Sequence, residues 1–144
     1  MEILLGKSIN ELEIGESASH SKTITETDIN LYAGITGDFN PLHINEEYAK
    51  TTRFGTRIAH GGLAEGLIAP VVGMKLPGPG TIALERTVRF KAPVKIGDTI
   101  TATAIVQEKL VEKNIVVFKA EWKNQRGEVV MEGTVKVMPP KKGA

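Results

Sequence analysis

From Gly62 to Leu76 the chain passes through Leu63, Ala64, Leu67, Ile68, Ala69, Val71, Val72, Met74 and Leu76, with only Glu65 and Lys75 charged. A helix apolar on nearly every side has no face to offer water, so it is buried, and the rest of the chain has to bury it. Pro70 is a point at which this helix can kink, and Pro77-Gly78-Pro79-Gly80 ends it. The cover comes from the residues that follow, where the apolar period changes from helical to two. Ile82, Leu84, Val88 and Phe90 alternate with Glu85, Arg89 and Lys91, and Ile100, Ala102, Ala104 and Val106 with Thr99, Thr101, Thr103 and Gln107. Both runs read as strands with one wet face, connected by a turn over Pro93-Val94-Lys95-Ile96-Gly97-Asp98. Val116, Phe118, Ala120 and Trp122 mark a third strand, Asn124-Gln125-Arg126-Gly127 a hairpin turn, and Val129, Met131, Gly133, Val135 and Val137 a fourth. The second half therefore reads as an antiparallel meander. An α+β arrangement follows, with the sheet curled around a long central helix. Its unpaired edges favour association of two or more copies.

The first third is more polar. Ile14-Gly15 reads as a turn before a strand over Glu16–Thr23. Thr25-Glu26-Thr27-Asp28 has the spacing of a capping box, and Ile29, Tyr32, Ala33 and Thr36 continue at helical intervals to Gly37, which can supply the C-terminal cap. Asn45 can cap a short helix through Glu46, Glu47, Tyr48 and Ala49. Between Asp38 and His43 no regular element is expected, because Pro41 lacks an N–H and holds Asn40 extended.

This irregular stretch carries most of the chemistry. Asp38 and His43 place a carboxylate and an imidazole five residues apart across an Asn-Pro turn, the pairing that general acid/base work requires. Taken singly, Asp38 is an ordinary turn-former and His43 an ordinary structural histidine; together they form a candidate catalytic pair. Asn40 reads as a loop brace. His60, just before Gly61-Gly62, is expected to bond local backbone and stays outside the catalytic set. At Gly61 the free N–H groups of a starting helix can hold a negative charge.

With 144 residues the chain suits one domain, spanning 1–144, and that size needs no staple to bury a core. Eighteen Lys+Arg against seventeen Asp+Glu, interspersed along the chain, give a formal charge of +1 and argue against nucleic acid as a partner. The lack of cysteine excludes thiol catalysis and cysteine-held zinc, and suits a reducing, cytoplasmic setting. No segment has the run of about 18 apolar residues that a membrane span needs, and no leader is expected. His20, His43 and His60 lack metal-ligand spacing, so no metal is expected. Pro140-Lys141-Lys142-Gly143 reads as a frayed tail.

Asp38-Phe39-Asn40-Pro41-Leu42-His43, Ala59-His60-Gly61 and the Phe90-Lys91-Ala92-Pro93-Val94-x-x-Gly97-Asp98 turn together resemble the MaoC-like, (R)-specific enoyl-CoA hydratases, over roughly residues 15 to 137. The resemblance implies a hot-dog fold, dimeric or larger, that adds water to a trans-2-enoyl thioester or runs the reverse dehydration. By that likeness the catalytic aspartate falls on Asp38, the histidine on His43 and the oxyanion-binding amide on Gly61. No separate cofactor is implied, since coenzyme A is part of the acyl-CoA substrate. Arg53, Arg57, Arg86 and Lys91 could meet its phosphates, but solvated surface charge is the simpler explanation for each, and none is singled out. A hot-dog thioesterase and a non-catalytic acyl-CoA-binding subunit are the alternative readings. The first gives no reason for the Asp38/His43 pair, and the second has no need to keep both.

Overall fold

The structure, a computed structural model, describes residues 1–142; Gly143, the end of the tail expected to fray, lies outside them. Pro140, expected to open that tail, is buried instead beside Gly80, and Lys142 pairs with Glu11 at 3.0 Å. In chain order the elements are β1 (Ser17–Thr23), α1 (Glu26–Thr36), α2 (Pro41–Ile44), α3 (Glu46–Ala49), α4 (Gly61–Glu65), α5 (Ile68–Pro70), β2 (Ile82–Phe90), β3 (Thr99–Leu110), β4 (Ile115–Lys123) and β5 (Val129–Met138). The strands form one antiparallel sheet in the order β1-β3-β4-β5-β2. Among the described residues no helix is long and apolar enough to cross a membrane.

The helical run from Gly61 to Lys75 lies against the sheet through β1 and β3, which is the hot-dog arrangement. Its floor is Ile100, Ala102, Ala104 and Val106 of β3, Val116, Phe118, Ala120 and Trp122 of β4, and Met131, Val135 and Val137 of β5, none more than 1% exposed. Alanine at 102, 104 and 120 keeps this floor shallow enough for the helix to approach. From above, Ala64, Leu67, Ile68, Val71 and Val72 fill the space. At roughly 1.5–3 kcal/mol per large apolar side chain, this layer dominates folding.

Four expectations need correction. The central helix is neither regular nor buried all round. Pro70 cannot donate to Gly66, whose carbonyl is met from Ala69 at 3.0 Å instead. The bonding then widens until the Leu76 N–H reaches Val71 at 2.8 Å, five residues back. Ala69 and Met74 face outward. Second, Pro41 does not hold the Asp38–His43 stretch open to its end. Proline is well suited to a first helical position, so α2 starts there and carries His43.

Third, only β3, β4 and β5 form a meander. β2 crosses to the far edge and pairs with β5, because the 93–98 connection is bonded elsewhere: the Val94 carbonyl accepts from Ala59 N–H at 2.7 Å, and Gly97 N–H donates to Ile24 at 2.8 Å. Gly133 permits the close approach of the two strands, since any Cβ there would strike the Thr87 carbonyl. Fourth, β2 is wet on both faces rather than one, with Ile82, Leu84 and Phe90 exposed.

Candidate active site

α1 starts on its capping box, where the Thr25 hydroxyl accepts from Asp28 N–H and the Asp28 carboxylate from Thr25 N–H. It ends at Gly37 with φ 82°, a left-handed residue that turns the chain sharply. Asp38 leaves this turn exposed, its carboxylate accepting from Asn40 N–H at 3.1 Å. The Asn40 side chain in turn accepts from Leu42 N–H at 3.1 Å and caps α2. These interlocking turns fix the backbone on both sides of Pro41 and aim His43 inward, where it is 8% exposed. Asp38 and His43 thus stand on the end of one helix and the first turn of the next.

Two histidines distant in sequence meet here. The rings of His43 and His60 stack with centroids 3.9 Å apart, and Tyr32 lies 4.7 Å from His60. His60 bonds backbone, as its position suggests, but not local backbone: its Nε2–H donates to the Asp38 carbonyl at 2.9 Å, across 22 residues. The His60 Nδ1 is buried with no partner among the described residues. The His43 Nδ1–H donates to the Ile58 carbonyl at 2.7 Å, which leaves Nε2 as the free nitrogen of the neutral ring. One side-chain ligand atom each from Asp38, His43 and His60 lie within 4.8 Å of one another, so histidines with no metal-ligand spacing in sequence share one site in space. Sequence spacing gives no sign of this contact, which exists only once α4 is docked against α1.

His43 and Gly61 line the same cleft of about 410 Å³, walled by Phe54, Ile58, Ala59, Phe90, Ala92 and Pro93, with Arg53 and Lys91 also on its lining. Gly61 is the first residue of α4, and its N–H donates to no group among the described residues. A Cβ there would come within 2.5 Å of Phe90 Cε1, so glycine brings the backbone next to the ring. The loop below is pinned by Arg57, paired with Glu26 at 3.0 Å and Glu46 at 3.5 Å. Glu65, behind the cleft, is held above the ordinary carboxyl range by burial, opposed by Arg86 at 3.0 Å.

A helix wrapped by an antiparallel sheet, with a narrow apolar cleft at the helix start, defines a hot-dog protein. The MaoC like domain model matches residues 10–126, and the chain belongs to that family. Over 133 residues it is 50% identical to an (R)-specific enoyl-CoA hydratase of Rhodospirillum rubrum, the match covering 92% of each chain. Over 132 residues it is 41% identical to a 3-hydroxybutyryl-CoA dehydratase of Methylorubrum extorquens, covering 92% of this chain and 83% of that one. The unliganded R-hydratase PhaJ1 of Pseudomonas aeruginosa superposes with a TM-score of 0.90 at 42% identity, covering 96% of this chain and 89% of that one.

Proposed function

We propose that this chain is an (R)-specific hydratase of trans-2-enoyl-CoA thioesters, able to run the dehydration in reverse. The observation that carries the reading is the meeting of Asp38 and His43 beside an apolar cleft that also exposes the unspent Gly61 N–H. The relatives named above act as hydratases and dehydratases, which disfavours a thioesterase or an inert binding subunit.

In this mechanism the acyl chain lies along the apolar wall with its thioester oxygen at Gly61. One water sits between the Asp38 carboxylate and His43 Nε2. Its oxygen bonds to the β-carbon, and one of its protons passes to Asp38. The pair of the C=C bond shifts to form a double bond between the α-carbon and the carbonyl carbon, the carbonyl pair moves onto the thioester oxygen, and the Gly61 N–H at the start of α4 stabilises this enolate. The enolate collapses as the site returns a proton to the α-carbon, so one water is consumed per double bond. Acid/base placement of this kind contributes about 10²–10⁴-fold, and one oxyanion donor about 2.7–4 kcal/mol. His60 serves both parts by holding the Asp38 backbone and flooring the His43 ring.

A homodimer accompanies this reading. Among the described residues β2 has one edge unpaired, both faces wet and three large apolar side chains in solvent, which is what a strand awaiting a partner looks like.

Crotonyl-CoA tests the activity. Loss of enoyl absorbance without release of free thiol is the expected result. Thiol release would make the protein a thioesterase, and no change with saturable binding would make it an inert binder.

A further inference from the structure

The cations on and around the cleft are not equivalent, and only Arg53 and Lys91 line it. Arg57 is spent on Glu26 and Glu46, Arg86 on Glu65, and Lys91 on Glu132 at 3.3 Å. Arg53 is different. It has no carboxylate within ion-pair distance among the described residues, and its guanidinium lies over the Phe54 ring, 4.8 Å from the centroid. Both residues line the cleft that holds His43 and Gly61. Stacking on an aromatic face holds a guanidinium in place without using its N–H groups, so its donors stay aimed outward and unspent.

An apolar cleft with one unpaired, pre-positioned guanidinium on its rim fits a ligand that is apolar at the reacting end and anionic where it emerges. From this, and resting on the hydratase reading above, we infer that Arg53 forms a phosphate subsite, gripping the phosphorylated pantetheine arm of the thioester. That arm occurs in coenzyme A, with further phosphates beyond it, and on acyl-carrier proteins, with a single phosphodiester. Planar guanidinium donors match phosphate oxygens two at a time, which selects arginine over lysine at such a point. Because the contact is remote from the reacting carbons, it stabilises ground state and transition state alike and acts on KM rather than kcat.

The experiment compares wild type with Arg53→Gln on three crotonyl thioesters: of coenzyme A, of 4′-phosphopantetheine and of unphosphorylated pantetheine. Lys113→Gln, on the turn after β3 and off the cleft, makes the same change in net charge and serves as the control. Arg53→Gln is expected to raise KM about tenfold for the phosphorylated substrates with kcat unchanged, and to leave the pantetheine thioester unaffected. An equal rise for coenzyme A and phosphopantetheine places the contact on the phosphate shared with carrier proteins. A rise for coenzyme A alone places it on the nucleotide phosphates. An equal change for all three substrates, or the same change in Lys113→Gln, overturns the inference. Calorimetric titration with coenzyme A reads the contact without turnover. A wild type that binds coenzyme A but hydrates nothing would refute the hydratase, and unchanged affinity in Arg53→Gln would refute the subsite.

Discussion

Gly61 is where one atom can be removed with the least disturbance to anything else. It is absent from the positive-φ glycines, and His60 before it has φ −56° and ψ 134°, the extended backbone that a following proline demands. Gly61→Pro therefore fits the first position of α4 while deleting the N–H. The natural control, Gly61→Ala, is not innocent, because its Cβ falls 2.5 Å from Phe90 Cε1, and so does that of proline. Phe90 is 61% exposed, so its ring can swing back by about 1 Å at a rotamer cost of about 0.5–1.5 kcal/mol. Spent wholly against the reaction, that cost is worth at most about tenfold. Gly61→Ala should thus keep at least about a tenth of wild-type turnover on crotonyl-CoA, while Gly61→Pro should fall a further 10²–10³-fold or about that. A Phe90→Ala background removes the collision from both variants, and the ratio between them should persist there. Stopped-flow loss of enoyl absorbance gives the rates, and circular dichroism confirms the fold. Equal turnover in folded Gly61→Ala and Gly61→Pro would mean that the oxyanion is held by another donor.

Asp38→Asn and His43→Ala should each cut hydration by about 10²–10⁴-fold with unchanged circular dichroism, since in the proposed mechanism both act on the attacking water and neither belongs to the apolar core; near-normal turnover in either variant removes that residue from the mechanism. Light scattering at micromolar concentration should give twice the 15.6 kDa chain mass, and a monomer would refute pairing through β2. Stability should fall in acid. Burial pushes Asp28 and Asp98 up, but Lys22 and the Thr25 N–H on Asp28, and Gln125, the Lys95 N–H and Arg126 on Asp98, bring both below the ordinary range. Lowered folded values mean stability that is full above the unfolded carboxyl range near 4 and lost as pH falls through the folded values. Melting curves between pH 7 and pH 2 should show that loss, and Asp98→Asn should flatten it while lowering stability at pH 7 by about 1–3 kcal/mol; a parent-like slope in this variant would exonerate Asp98. Glu65 acts in the opposite sense, since its raised value favours the folded state at low pH and loses that contribution as pH rises through it.

Local chemistry was the legible part of this sequence. The Thr25/Asp28 box, the Gly37 cap and the Asn45 cap each act within four residues, and each forms as its spacing implies. Alternation on β3 and β4 was equally plain, because one face of each is covered. β2 showed the same alternation with neither face covered in a single chain, so its pattern could not reveal which strand it joins. Its place depends on Gly133 and on a connection tied to Ala59 and Ile24, none of it local. Pro41 lacks the N–H that a helix interior needs and so breaks helices in general, but behind an Asn cap it starts one. In the site, Asp38, Asn40 and His43 were visible because one hexapeptide holds them. The His60 contact was not, because it spans 22 residues and its signal was a single histidine beside two glycines.

The stereochemistry of the product from crotonyl-CoA tests the whole reading most directly. Hydration products are passed to an (R)-specific and, separately, to an (S)-specific 3-hydroxyacyl-CoA dehydrogenase, and the nicotinamide reduced is measured. Water fixed by Asp38 and His43 on one side of the cleft should give product oxidised by the (R)-specific enzyme alone. A racemic mixture would contradict a water held on one face of the double bond, and product taken by the (S)-specific enzyme alone would put that water on the opposite face and contradict the (R)-specific reading.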